Sequence, residues 1–168
     1  MGTQLTEAEL RLHRVCFTGH RPEKLHYPEK QVKALLREQI EKAIEDGFTT
    51  FITGMARGID LWAAEIVLEL KRKHKDKELH LICALPHPNF ESKWKLSDKM
   101  KYHSILKKAD LQRTICPEFS MSAYQKRNIW MVNKSNRVIA AYNGEKGGTK
   151  NTIDYACRVG INVVNIFD

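Results

Sequence analysis

Short apolar runs alternate with amphipathic segments along most of the chain. Six apolar runs predict strands, at 14–18, 49–53, 79–85, 112–116, 137–142 and 162–167. Five segments between them keep apolar residues at helical spacing and predict helices, at 29–46, 60–74, 92–109, 122–133 and 150–159. Several strand runs are apolar without alternation, as in a parallel sheet that helices cover on both faces. The pattern therefore predicts a Rossmann-like three-layer α/β/α sandwich with a mainly parallel sheet.

The length of 168 residues is ordinary for one domain, and no linker, repeat or low-complexity tract interrupts the pattern. We therefore expect a single domain over residues 1–168, in which residues 1–13 form a short N-terminal extension. The N-terminal segment is too polar and acidic for a signal peptide, and no apolar run approaches the roughly 20 residues of a membrane span. A cytoplasmic protein without membrane contact is the expectation.

The segment 51–60, FITGMARGID, shows where chemistry is concentrated. An apolar strand stops at Gly54, and a helix begins near Asp60, whose carboxylate is a candidate N-cap. Gly54 and Gly58 allow positive φ and close approach to the backbone. The free amides of such a helix start favour an anion, typically a phosphate. An ordinary strand-to-helix turn, with glycines needed for geometry alone, is the alternative.

Ligands of open parallel sheets bind outside the carboxyl ends of the strands. This rule brings four loops to one edge of the predicted sheet, at 18–21, 54–60, 86–88 and 143–149. The predicted binding site lies among these loops.

Three segments resemble a known group of proteins. TGMARGIDLWAAE is similar to the glycine-rich motif of DNA-processing protein A (Smf/DprA), and QKRNIWMVNKSNRVIAAYNG resembles the arginine–asparagine helix and strand of the same family. Gly147-Gly148-Thr149 resembles the glycine-rich helix start that closes that site. The opening FTGHRPEKL resembles the small stand-alone bacterial proteins of the YpsA/YoqJ type, in the SLOG superfamily with the cytokinin-activating LOG enzymes.

The resemblance implies binding or sensing of a nucleotide or nucleotide-derived small molecule, with no metal and no certain cofactor besides that ligand. The ligand-binding candidates are Thr18, Gly19, His20, Arg21, Gly54, Met55, Ala56, Arg57, Gly58, Asp60, Glu65, Pro86, Arg127, Asn128, Gly147, Gly148, Thr149 and Thr152. Several have a second interpretation. Asp60 holds a ribose hydroxyl or caps the helix, Glu65 is a site carboxylate or a surface residue, and Trp94 stacks on a base or packs in the fold.

Enzymatic turnover is left open. LOG-type hydrolases carry a glutamate after their glycine-rich helix start, and the matching position here is Thr152. Without that carboxylate the acid–base support for cleaving a glycosidic bond lacks its usual residue. The sequence therefore favours binding without turnover, with LOG-like N-glycosidic hydrolysis as a weaker alternative.

The net charge of +8 adds a second hypothesis, DprA-like binding of single-stranded nucleic acid. The positive residues cluster at 71–77 and at 93–108, where Trp94 and Tyr102 lie between the lysines. A solvated helix face explains such clusters equally well.

The four cysteines lack CxxC spacing and are expected to be buried thiols. Homodimers occur among the similar proteins and are a further candidate assembly.

Overall fold

The computed structural model describes residues 3–168, so residues 1 and 2 of the expected N-terminal extension lie outside the described residues. Six parallel strands form one sheet in the order β4-β3-β2-β1-β5-β6. The strands are β1 Arg14–Gly19, β2 Thr50–Thr53, β3 His80–Leu85, β4 Leu111–Thr114, β5 Arg137–Ala141 and β6 Asn162–Asn165. The Rossmann-like fold and its parallel sheet are therefore confirmed.

Within the described residues, seven α-helices accompany the sheet. They are α1 Glu7–Arg11, α2 Pro22–Leu25, α3 Glu29–Glu45, α4 Ile59–Lys73, α5 Leu96–Lys108, α6 Ala123–Asn133 and α7 Gly148–Arg158. None of the helices within residues 3–168 has both the length and the apolar character that a membrane crossing requires.

The strands place alternate side chains on the two faces of the sheet, which creates two cores. Val15 and Phe17 of β1 belong to the larger core, together with buried residues of α3, α4 and α5. Cys16 points to the other face and packs with Met131 of α6 and Ala156 of α7. Burial on both faces explains why the central strands are apolar without alternation.

Three local features differ from the expectations. The helix expected from residue 92 begins at Leu96, because residues 88–93 form turns after β3. The short helices α1 and α2 were not predicted: α1 buries no residue but has a capping box between Thr6 and Glu9, and α2 has Pro22 at its first position. The expectation of four buried thiols is wrong for Cys157, which is exposed on α7.

The strand order reverses direction between β1 and β5. The strands β2, β3 and β4 extend the sheet on one side of β1. The strand β5 pairs with the other side of β1, with Gly19 opposite Ala141. The loops leaving β1 and β5 therefore separate and leave a crevice, the usual place for a ligand in this architecture.

Candidate functional site

A cleft of about 650 Å³ opens at this crevice. Its walls come from the end of β1 and from the loops that follow β1, β2, β3 and β5, together with the start of α6. The residues that line it are Phe17, Thr18, Gly19, His20, Arg21, Lys24, Ala56, Arg57, Asp60, Phe90, Lys93, Trp94, Lys95, Asp98, Tyr124, Arg127, Asn128, Lys146, Gly147, Gly148 and Thr149. The loop before α4 and the loop before α7 thus border one shared cavity.

Most of the candidate residues lie in this lining. The candidates that line the cleft are Thr18, Gly19, His20, Arg21, Ala56, Arg57, Asp60, Arg127, Asn128, Gly147, Gly148 and Thr149. The others, outside the lining, are Gly54, Met55, Gly58, Glu65, Pro86 and Thr152. Four of these six, Gly54, Met55, Gly58 and Thr152, are buried in or beside the two loops.

A buried acid and a buried base meet at the floor of the cleft. Asp60 is 7% exposed and Arg127 is 4% exposed. Oδ2 of Asp60 accepts a hydrogen bond from the Ala56 amide at 3.2 Å, but Oδ1 is buried with no partner among residues 3–168. Burial raises the pKa of Asp60 to about 6, although the positive charge of Arg127 acts in the opposite direction. One oxygen of this floor carboxylate is therefore left without a hydrogen-bond partner in the described chain.

Arg127 fixes α6 to the ends of two strands. Its Nη1 donates to the backbone oxygens of Gly54 and, at 3.5 Å, of Ala84, and its Nε donates to Asn128 Oδ1 at 2.8 Å. Burial lowers the pKa of Arg127, and the Asp60 charge opposes that effect. The guanidinium is thus held in place by backbone carbonyls, close to the unsatisfied carboxylate.

The two glycines before α4 are packed against protein groups. A Cβ on Gly54 would lie 2.9 Å from the Arg127 guanidinium carbon and 2.9 Å from Asp60 Oδ2. A Cβ on Gly58 would lie 2.7 Å from the Pro22 ring, and Gly58 has a φ of 88°. Protein atoms therefore fill the space that a side chain would take at these two glycines.

The expected capping role of Asp60 is wrong. Gly58 occupies the N-cap position of α4 and no side chain caps the helix, since Asp60 is the second helical residue and turns back to the Ala56 amide. Met55, another candidate, is fully buried with a φ of 62° and belongs to the core. Ala56, Arg57 and Asp60 thus line the cleft from the loop before α4 and the first turn of that helix.

The loop before α7 is open. A Cβ on Gly147 or on Gly148 would meet no atom within 4 Å. The first turn of α7 contains no acidic residue, and no side chain caps this helix. No side chain therefore accepts a capping hydrogen bond from its first backbone N–H groups. Thr152 lies one turn into α7, where its hydroxyl donates to the Gly148 oxygen at 2.8 Å and ties the loop to the helix. This helix start has the geometry and the polarity to accept an anion.

His20 provides a second unsatisfied group. Its side chain is 6% exposed and stacks on Tyr142 at 5.5 Å between ring centroids, and its Nε2 is buried without a partner in the described part of the chain. Burial lowers the pKa of His20, so the ring is neutral at neutral pH. A neutral imidazole nitrogen can donate or accept a hydrogen bond according to its tautomer.

Aromatic and positively charged side chains form the walls of the cleft. The sequence analysis either did not name these residues as ligand-binding candidates or left their role open. Phe90, Trp94 and Tyr124 border the cleft, and Phe90 and Trp94 pack edge to face at 5.3 Å. The lysines that line it without having been predicted are Lys24, Lys93, Lys95 and Lys146. Tyr124 could have been found from its position three residues before Arg127, which places both on one helix face. The segment after β3 could have been found from the same strand-end rule that predicted Pro86.

Glu65 and Pro86 have other surroundings. Glu65 lies five residues after Asp60, a rotation that leaves the two side chains roughly 140° apart around the helix. It is exposed, and its Oε1 lies 3.5 Å from Lys101 Nζ on the outer side of α4. Pro86 is buried, and its oxygen accepts a hydrogen bond from the Cys116 amide at 3.0 Å. Pro86 therefore positions the loop after β3.

Within residues 3–168, no group of three or more histidine, cysteine, aspartate or glutamate side chains is placed to hold a metal ion. The chemistry of the cleft is that of an anion-accepting helix start, a buried carboxylate near a buried guanidinium, and an aromatic wall. All three come from loops and helices that the parallel sheet brings to one edge.

A known family matches most of the chain. The YspA SLOG family matches residues 15–159, which are most of the chain. The chain therefore belongs to this family. It is 29% identical over 143 residues to a UPF0398 protein of Halalkalibacterium halodurans, covering 80% of this chain and 75% of that protein. A UPF0398 protein of Bacillus thuringiensis (strain Al Hakam) is 29% identical over 152 residues, covering 86% of this chain and 82% of the relative.

Solved structures show the same fold at low identity. The DNA processing protein A of Streptococcus pneumoniae superposes with a TM-score of 0.65 at 17% identity, over 92% of this chain. This chain spans 50% of the length of that structure. The DNA processing protein A of Helicobacter pylori, which binds single-stranded DNA, gives 0.61 at 17% identity, over 94% of this chain and 66% of that one. The structural-genomics target TM1055 gives 0.58 at 13% identity, over 90% and 72%.

Proposed function

We propose that this protein binds a nucleotide-derived small molecule in the cleft at the carboxyl ends of β1, β2 and β5. The negative group of the ligand lies at the start of α7, and a hydroxyl or amino group of the ligand donates to Asp60. One observation carries the proposal: Asp60, whose Oδ1 is buried without a partner in the described chain, lines the same cavity as an open, uncapped helix start.

The start of α7 supports the anionic part of the ligand. Gly147 and Gly148 leave space beside their backbone, and no carboxylate of the first helical turn competes for the free N–H groups. Lys146 and Lys24 line the cavity and add positive charge. A phosphate accepts hydrogen bonds from such amides and is stabilised by the helix dipole.

The floor supports the polar, uncharged part. A buried carboxylate oxygen without a partner costs free energy that a ligand donor can recover. Arg127 cannot move freely to satisfy it, because carbonyls of Gly54 and Ala84 hold its guanidinium. Ribose hydroxyls and exocyclic amines are donors of this kind, so Asp60 is the proposed contact for a sugar or base.

The aromatic wall supports a planar group. Trp94 is half-buried and Tyr124 is 36% exposed, so each presents part of its ring to the cavity. Stacking on such rings is tolerant of base identity. A volume of about 650 Å³ is within the usual range of small-molecule sites. A nucleoside phosphate matches the three chemical features together.

We propose binding without turnover. The Thr152 hydroxyl stands where LOG-type hydrolases carry a glutamate, and it is engaged with the Gly148 oxygen at 2.8 Å. It therefore offers no carboxylate for acid–base chemistry at a glycosidic bond.

A thermal-shift screen tests the proposal with AMP, GMP, cyclic AMP, ADP-ribose and NAD as probes. A ligand at 100 times its Kd stabilises the folded state by about 2.7 kcal/mol. For a chain of this size each kcal/mol corresponds to roughly 2–4 °C in Tm. We expect at least one phosphate-bearing probe to raise Tm by several degrees, and adenine and adenosine to have smaller effects. No shift with any probe at millimolar concentration would contradict the proposal.

Single-stranded nucleic acid is a second candidate, favoured by the positive rim of the cleft. Arg21, Lys24, Lys93, Lys95 and Lys146 are exposed and line the cavity, next to partly exposed aromatic rings. DNA binding of this type weakens steeply as salt rises. Titration of an oligo-dT with the protein at two salt concentrations tests it, and the absence of binding at low salt eliminates this candidate.

A further inference from the structure

A second hollow lies between α4 and α5, on the side of these helices that faces away from the sheet. Its volume is about 750 Å³. The residues that line it are Glu65, Leu68, Lys71, Arg72, Lys75, Lys101, Ser104, Ile105 and Lys108. None of them lines the strand-end cleft, so the groove is a separate surface.

The groove carries an excess of positive charge. Five lysine or arginine side chains line it, against the single carboxylate of Glu65. Glu65 pairs with Lys101 at 3.5 Å, and Lys71 pairs with Asp110 at 2.6 Å. Among residues 3–168, the other three cations have no carboxylate within 4.0 Å; they are Arg72, Lys75 and Lys108.

The floor of the groove is apolar. Ile105 is buried, Leu68 is half-buried against the core, and the aliphatic parts of the lysine side chains extend this surface. An apolar strip with positive charges on its rims matches the pattern of an amphipathic acidic helix.

We propose that this groove docks an acidic amphipathic helix of a partner protein. The apolar residues of that helix pack on Leu68 and Ile105, and its carboxylates face Arg72, Lys75 and Lys108. A nucleic-acid backbone matches the charges but leaves the apolar floor without a partner, so the helix is the better fit. The 15 residues of α4 extend for roughly 22 Å, enough for about four turns of a parallel or antiparallel helix.

The test uses a fluorescein-labelled peptide of 18 residues, with leucine at positions i, i+3, i+4 and i+7 and glutamate as its main polar residue. A scrambled peptide of the same composition lacks the apolar face. Binding is measured by fluorescence anisotropy, and oligo-dT is added as a competitor. We expect the scrambled peptide to bind at least tenfold more weakly than the amphipathic one, and oligo-dT not to displace the amphipathic peptide.

Charge reversal locates the site. The double variant Arg72→Glu and Lys108→Glu is compared with Lys30→Glu and Lys42→Glu, which makes the same change of net charge at exposed positions of α3. We expect the groove variant to weaken peptide binding at least tenfold and the α3 variant to change it less than twofold, with both retaining the Tm of the parent within a few degrees.

Three results would overturn the proposal. Equal binding of the two peptides means that charge alone attracts them. Equal loss in the two double variants means that the groove is not the site. If oligo-dT displaces the peptide from the parent protein, and the groove variant no longer binds oligo-dT, the surface is assigned to nucleic acid instead.

Discussion

The loops before α4 and before α7 are both rich in glycine but have different surroundings. Each follows a parallel strand, contains at least two glycines and leads directly into a helix. At Gly54 and Gly58 the space that a side chain would take is already filled, by Arg127, Asp60 and Pro22. At Gly148 the same space is empty. A glycine motif at a strand end therefore has two distinct uses: dense packing of the protein on itself, and access for a molecule from outside.

The largest expected effect breaks the packed loop. Gly58→Ala places a methyl group against Pro22 at a φ of 88°, so it adds both a clash and backbone strain. Each of these effects costs roughly 1–3 kcal/mol, and we expect a loss of about 3 kcal/mol or more in the free energy of unfolding. Urea denaturation measures it.

Gly148→Ala is the matched control, because its methyl group meets no atom within 4 Å. Alanine is the better helix former, so stability should stay the same or rise by up to about 1 kcal/mol. Equal losses in the two alanine variants would remove the distinction between the loops.

The second prediction concerns the buried acid. Asp60 has a folded-state pKa of about 6, above its ordinary value of 3.8, so the folded state binds this proton more tightly than the unfolded state does. Ionisation of this buried carboxyl therefore lowers the free energy of unfolding as pH rises from about 4 to 6. Above about pH 6 the loss has reached its full size. The difference of about two pKa units corresponds to roughly 3 kcal/mol.

Asp60→Asn removes that penalty. We expect the variant to be more stable than the parent at pH 7.5 by about 2–3 kcal/mol, and the difference to disappear near pH 4, where the parent carboxyl is protonated. Urea denaturation of both proteins across this range measures it. The same variant should bind the AMP probe at least tenfold more weakly, since Asp60 is the proposed acceptor of a ligand donor. A variant that is less stable at pH 7.5 would show that the Asp60 charge supports the fold.

A third prediction uses the open loop. Gly148→Glu places a carboxylate at the start of α7, where it interacts favourably with the helix dipole but occupies the proposed place of the ligand anion. We expect equal or higher stability and at least tenfold weaker binding of AMP than in Gly148→Gln, which has the same shape without the charge. Titration calorimetry with both variants measures it. Equal affinities would show that no anion binds at this helix start.

The smallest effect is expected at the rim of the packed loop. Arg57 pairs with Glu23 at 3.0 Å, but the side chains are 30% and 55% exposed. Exposed ion pairs contribute little, so Arg57→Ala should change the free energy of unfolding by less than about 0.5 kcal/mol. A thermal melt at low and at high salt measures it, and a larger loss would mean that Arg57 has a structural role in this loop.

The fold followed from the sequence because its signal is repeated. Each central strand is apolar on both faces and each main helix has a regular apolar stripe, so one parallel sheet was the consistent solution. The strand-end rule then brought both glycine loops to one edge. The ends of the elements were harder to predict: the turns at 88–93 overlap the start of the expected helix, and the five-residue α1 depends on a local capping box.

The site was predicted only in part, for a physical reason. Which atoms fill the space beside a glycine depends on residues far away in the chain, such as Pro22 beside Gly58 and Arg127 beside Gly54. The same is true of Asp60, whose burial and unsatisfied oxygen follow from tertiary packing. Glu65 could have been excluded from its helical angle to Asp60 alone.

The most direct test of the account is an amide-resolved NMR titration of the ¹⁵N-labelled protein with AMP. If the anion binds at α7, the largest shift changes occur at the amides of Gly147, Gly148 and Thr149, with smaller ones near Asp60, while the amide of Gly58 in the packed loop changes little. Largest changes at Gly54 and Gly58, or no change at millimolar AMP and at millimolar ADP-ribose, would contradict it.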